Sequence, residues 1–174
     1  VAKQSFEILN QLLTAATELD VRDIVIPCVD HSSVHDESKR RLLQKKLIEI
    51  IPKVEEAGVN LALETDLNPS LFGAFLKNFK SDRVTVNYDT GNSAALGYNI
   101  AEEFQAYGQK LTDIHIKDRK LSGGSVLLGA GDWDHNLFFT ELKKINFKGH
   151  FIMQAFRDDE GLKIFKEQLA WLKE

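Results

Sequence analysis

The chain has 174 residues, of which 43% are hydrophobic and 28% charged, and a formal net charge of −4. That is enough chain to bury a sizeable core, and it lacks the basic excess that a phosphate-binding face requires. No window approaches the roughly 20 apolar residues of a membrane-spanning helix, and Cys28, the only cysteine, cannot form an intramolecular disulfide. The expectation is a single cytoplasmic domain over residues 1–174, with neither nucleic acid nor membrane as partner and no secretory leader at its start.

Residues 2–19 carry Phe6, Leu9, Leu12, Leu13, Ala16 and Leu19 at helical spacing. The apolar run 23–28 (DIVIPC) suits a strand buried on both faces, and a polar loop over 30–36 follows. A helix is expected over 37–57, with Pro52 as a point where it kinks or shortens and Gly58 as its stop. Next come a strand at 59–64, a helix capped by Asn68 or Ser70 and running to Phe79, and a strand at 84–89 broken by Gly91. The remaining expected elements are a helix at 101–107, a strand at 112–117, a glycine-rich connection (SGGSVLLGAGDWD), a helix at 137–145, a strand at 150–154 and a helix at 160–173. Strands alternating with helices require a parallel sheet, and ligands then gather at the carboxyl ends of the strands.

The chemistry-bearing residues fall at those ends. In VTVNYD, Val84, Val86 and Tyr88 take one face while Thr85, Asn87 and Asp89 take the other. LALETD ends its apolar run in Glu64, and TDIHIKD places His115 and Lys117 opposite Ile114 and Ile116. Glu64, Asp89 and His115 together have the donor set of a hard-to-borderline divalent metal. Taken singly, each has an ordinary structural reading: a helix cap for Glu64, a turn for Asp89, a hydrogen-bonded core histidine for His115. Lys117, Arg119, Lys120 and Arg157 are basic residues at strand ends, able to receive a sugar phosphate or a carboxylate, Lys120 being the one best read as surface charge. In GAGDWD, backbone N–H groups could approach an anion, Trp133 could wall a pocket, or the loop could be purely structural. Cys28, Met153 and Trp171 are read as packing residues.

The ordered set LALETD, VNYDTGN, DIHIKDR, LLGAGDWD and GHFIMQ resembles the carboxyl-terminal part of the xylose isomerase-like barrel superfamily of sugar isomerases and epimerases, from about residue 24 to the end. The resemblance implies a (β/α) TIM barrel and a divalent metal, Mn, Mg, Co or Zn, held by Glu64, Asp89 and His115. The fourth ligand position, a glutamate in the family, falls on Gln154. Two metal-bound glutamates exchange protons with the substrate in the epimerases of this family, and an amide cannot do so near neutral pH. Glu64 is therefore expected as the base, with Lys117 as acid or orienting group and His31 and Asp118 behind it. Asn87, Asn92, Arg119, Trp133 and Arg157 are the expected substrate contacts, Asn92 standing where several relatives have histidine. The implied function is a metal-dependent isomerase or epimerase acting on a sugar or sugar phosphate beside its carbonyl. The alternatives are a non-catalytic metal- or sugar-binding barrel remnant and a keto-polyol dehydratase.

Five strands are counted where the family has eight, so the fold expected is a partial or truncated (β/α)8 barrel, short of the first three units, roughly ninety residues. Open sheet edges then favour association between copies.

Overall fold

The computed structural model describes residues 2–156 and 161–173. Its centre is a sheet of five parallel strands, β1 (Asp23–Cys28), β2 (Asn60–Thr65), β3 (Val84–Asp89), β4 (Leu111–Ile116) and β7 (His150–Met153), in the order β1-β2-β3-β4-β7. Two further strands, β5 (Asp118–Arg119) and β6 (Ser125–Val126), form a small antiparallel ribbon beyond the end of β4. The connecting helices are α1 (Ala2–Glu18), α2 (Glu37–Ala57), α3 (Pro69–Leu76), α4 (Thr90–Leu96), α5 (Ile100–Tyr107), α6 (His135–Lys144) and α7 (Leu162–Lys173). Among the described residues no helix is long and apolar enough to cross a membrane.

Local chemistry sets the helix ends. Asp36 accepts from Lys39 N at 3.0 Å and Asn68 from Leu71 N at 2.9 Å, so each opens a helix, the second with Pro69 at its first turn. Gly58 closes α2 at φ 69°, a left-handed conformation that costs glycine little. Pro52 does not shorten α2, which continues to Ala57. Helix α3 stops at Leu76 rather than Phe79, because the Asn78 amide donates to the carbonyls of Ala74 and Phe75. The seven-residue α4 is an element the periodicity does not announce, since TGNSAAL has no apolar stripe.

Register then separates two chemistries. Val86 and Tyr88 of β3, Leu61 and Leu63 of β2, and Ile114 and Ile116 of β4 are buried with Phe72, Phe104 and Phe138 of the helices. Phe138 is fully buried, its ring 5.5 Å from Tyr88, 5.7 Å from Phe104 and 5.4 Å from Trp133. The alternate residues, Glu64, Asn87, Asp89 and His115, lie on the other face, with Asp89 opposite His115 in the β3–β4 register.

One buried polar group serves the helix side. Glu103 of α5 accepts hydrogen bonds from Tyr88 Oη (2.7 Å), Ser93 Oγ (2.6 Å) and Tyr107 Oη (2.8 Å), tying strand β3 and helix α4 to α5. Burial pushes its carboxyl above the usual range, against the lowering effect of the three hydroxyls. An acid with a raised folded-state pKa binds its proton more tightly folded than unfolded, so its contribution to stability falls as pH rises from the ordinary carboxylate value through the raised one. The stability of the natural chain relative to Glu103→Gln is therefore expected to decline with rising pH across that window, as measured by denaturant titrations at successive pH values.

Candidate metal centre

The carboxyl ends of β2, β3 and β4 bring Glu64, Asp89 and His115 together, all three buried, with one ligand atom of each within 4.8 Å of the others. His115 Nδ1 lies 3.4 Å from Glu64 Oε2 and 3.9 Å from Asp89 Oδ2. Parallel register does this: three neighbouring strands end at one level, and period-two alternation turns one polar residue of each to the same face.

The two oxygens of Asp89 have different surroundings. Oδ1 accepts from Asn92 N at 2.8 Å and so caps α4, while Oδ2 is buried with no hydrogen-bond partner and faces Lys117 Nζ at 3.7 Å. Burial raises the Asp89 carboxyl above its ordinary value, Lys117 lowers it, and the neighbouring Glu64 raises it again. Asn87 Nδ2 sits 2.9 Å from Glu64 Oε2 and 3.1 Å from His115 Nδ1. With that amide donating to both, His115 Nδ1 is the unprotonated ring nitrogen, and its lone pair, engaged by Asn87, is the one a metal would take over. A desolvated, unpartnered carboxylate oxygen facing a second carboxylate and an imidazole fits a divalent cation.

Around these three, Asn92 Nδ2 donates to Glu64 Oε1 at 2.8 Å, and Arg119 Nη1 donates to Asn92 Oδ1 at 2.9 Å. Arg119 is otherwise spent on the Gly123 carbonyl through Nε and Nη2, at 3.0 and 2.8 Å. Gly91 permits this crowding, because a Cβ there would lie 2.8 Å from Lys117 Cγ. Thr90 is a contributor that no pattern in the sequence marks: its hydroxyl donates to Lys117 O at 2.6 Å and accepts from Lys117 N at 2.9 Å, fixing the backbone that carries the lysine.

The other residues singled out in the sequence have different placements. Trp133 does not wall this site; it is buried on the helix side of the sheet, 5.4 Å from Phe138 and 6.0 Å from Phe139, because the loop before it is pinned. The pin is Asp118, which accepts from the backbone N–H groups of Gly129 (3.0 Å), Gly131 (2.9 Å) and Trp133 (3.1 Å), and is thereby a loop organiser rather than a second proton donor. His31 is exposed in the short turn Asp30–Ser32 after β1. Gln154 continues β7 by one residue, its N–H donating to Ile116 O at 2.9 Å, and its side chain is exposed and hydrogen-bonds no described residue. Arg157 lies outside the described residues.

A sheet of parallel βα units with an acidic, imidazole-bearing centre at its carboxyl ends has the architecture of a partial TIM barrel. The sequence profile of the xylose isomerase-like TIM barrel family matches residues 1–174, and the chain belongs to that family. Within it, the chain is 28% identical over 189 aligned positions to a Haemophilus influenzae protein provisionally named L-ribulose-5-phosphate 3-epimerase SgbU, and 26% identical over 172 to the Escherichia coli protein of that name. Those alignments cover 99% and 91% of this chain, which spans 65% and 60% of the two relatives' lengths. Among solved structures, the zinc-bound IOLI protein superposes with a TM-score of 0.78 at 22% identity, over 98% of this chain and 70% of that one. A magnesium-bound xylose isomerase-like barrel protein from Mycobacterium smegmatis superposes at 0.77 and 17%, over 98% and 66%.

The raised Asp89 gives a test with a sign. Its ionised form is disfavoured in the metal-free fold, so neutral Asp89→Asn, which can still cap α4, is expected to match or exceed the natural chain in thermal stability near neutral pH under chelator, the advantage shrinking as pH falls. The same variant should weaken Mn2+ binding at this centre by more than the roughly 10–100-fold that loss of an outer-shell partner costs, measured by titration calorimetry.

Proposed function

We propose that the chain carries the metal-and-base centre of a sugar isomerase or epimerase, acting on a ketose or ketose phosphate by proton transfer at the carbon beside the carbonyl. The observation that supports it best is the buried, unpartnered Oδ2 of Asp89 facing Glu64 and His115 at the carboxyl ends of neighbouring strands. The names of the two curated relatives favour a pentulose phosphate among such substrates. Glu64, Asp89 and His115 would hold the divalent ion, with Gln154 as a neutral fourth donor. Once bound, the ion supplies Lewis-acid polarisation of the substrate's carbonyl and neighbouring hydroxyl oxygens.

Glu64 is the base. Its oxygens are oriented by the amides of Asn87 and Asn92, and Oε1 becomes free to take the substrate proton when Asn92 turns its amide to a substrate hydroxyl. Lys117, held near Asp89 and backed by Thr90, orients the substrate or returns a proton to its oxygen. Arg119 keeps Asn92 in place and adds a positive charge to the site. Gln154 cannot protonate the opposite face, so a transfer in which one carboxylate removes and returns the proton on a single face suits this residue set better than a two-carboxylate epimerisation. The same exposed amide favours, as the second reading, a barrel that binds its metal or sugar without turnover.

Incubating the chain with Mn2+ and candidate ketoses or their 5-phosphates in D2O discriminates the two. Deuterium entering beside the carbonyl is the expected result, reduced about 10²–10⁴-fold in Glu64→Gln. Sugar binding with no exchange would establish the non-catalytic reading, and an unsaturated product would point to dehydration.

A further inference from the structure

At the other end of the same sheet face, a second group of ligand-type side chains converges. Asp23 begins β1, His150 begins β7, and Asp113 is paired with His150 in the β4–β7 register. One ligand atom from each lies within 4.8 Å of the others, although β1 and β7 are the two outermost strands of the sheet. The sheet therefore curls enough for side chains of its two edge strands to converge across one face at their amino ends.

The middle member has an unusual position. The Asp113 side chain is only 6% exposed, and none of the described residues donates a hydrogen bond to its carboxylate. Its nearest basic atom is His150 Nδ1 at 3.9 Å, beyond hydrogen-bond reach, on a ring whose side chain is 70% exposed. Asp23, by contrast, is oriented from behind: Asn60 Nδ2 donates to its Oδ1 at 2.9 Å, and Arg83 Nη1 donates to Asn60 Oδ1 at 3.1 Å. Two carboxylates facing one another, one of them on a side chain only 6% exposed and with no donor among the described residues, repel each other in a setting that a cation between them would relieve.

We propose that Asp23, Asp113 and His150 form a second divalent-cation site, a structural clasp that ties the edge strands β1 and β7 to β4. Two carboxylates and one imidazole suit Zn2+ or a similar borderline ion rather than Ca2+ or Mg2+, with water completing the coordination on the exposed side of His150. A tetrahedral ion at 2.0–2.2 Å wants its ligand atoms ~3.4 Å apart, so the group would tighten from its present spread of up to 4.8 Å on binding, the exposed imidazole being the member with most room to turn. The clasp lies at the amino ends of the strands, where conserved architecture in such barrels serves stability, not chemistry. Asp113 and His115 are two residues apart on one strand face, so the two sites are separated by only about 6.6 Å along β4.

That closeness dictates the test, which uses Zn2+ on the full chain in an Asp89→Asn background, where the first centre is disabled. Chelator-treated protein reloaded with Zn2+ should hold one ion per chain by mass spectrometry, and its thermal midpoint should rise by roughly 5–10 °C at a hundredfold excess over Kd. Adding Asp113→Asn should weaken Zn2+ binding at least ~10-fold and remove most of that rise. Adding His150→Ala, a change at an exposed side chain with little folding hazard, should do the same and keep the conclusion open to refutation if Asp113→Asn perturbs folding. Absence of Zn2+ from the Asp89→Asn protein would overturn the proposal. So would Zn2+ binding that survives Asp113→Asn but not His150→Ala, since that pattern marks a surface imidazole alone.

Discussion

A carboxylate oxygen removed from water without a hydrogen bond is the constraint around which this fold is arranged. Leaving such a group unsatisfied costs a fold about 1–3 kcal/mol for a neutral atom and more for a charged one. Asp89 Oδ2 is in that position, and the ammonium of Lys117, the imidazole of His115 and the helix turn that occupies Oδ1 offset the imbalance, while the carboxylate of Glu64 adds to it. The surrounding amides are spent differently. The Asn87 and Asn92 side chains donate to Glu64 rather than to Asp89, so the oxygen that lacks a hydrogen bond is also the one turned toward His115 and Lys117.

The sheet makes this affordable by keeping two chemistries apart. On its helix side, Leu61, Leu63, Val86, Ile114 and Ile116 are buried almost without exposure, and fully burying a side chain of that size stabilises by about 1.5–3 kcal/mol. On its other side β2, β3 and β4 carry Asn60, Glu64, Thr85, Asn87, Asp89, Asp113 and His115, with Ala62 among them. The loops that follow the strands are held by side chains that act on backbone rather than on substrate. Asp118 gathers three N–H groups, and Gln168 of α7 bridges Leu128 N and Phe156 O. A rigid apolar layer of this kind lets the chemistry of the strand ends be set separately from the packing that holds the strands.

Much of this was legible in the chain itself. Each of the five parallel strands is a short apolar or alternating run between glycine and polar punctuation, so period and length suffice to find it, and alternation alone assigns Asn87 and Asp89 to one face. What escaped has physical reasons. Helix α4 is held by its caps, Asp89 before and Gly97 after, and by the Ser93–Glu103 bond, none of which produces an apolar stripe. Trp133 beside a glycine-rich loop reads equally as a pocket wall or a core residue, and the choice depends on Asp118 fifteen positions earlier, a contact that no local window contains. Asp113 and His150 look like ordinary strand-end polar residues until the curl of the sheet brings β1 round to meet them.

The double duty of Asp89 also bears on the order of events when the chain folds. Its side chain is aimed by the hydrogen bond from Asn92 N, and that N–H is in place only after the first turn of α4 has wound. The ligand set is thus incomplete in any species where β2, β3 and β4 have paired but the segment after β3 has not. An ion held by the completed set, through contacts made only after that turn has wound, would act as a brake on unfolding and leave the rate of folding nearly untouched.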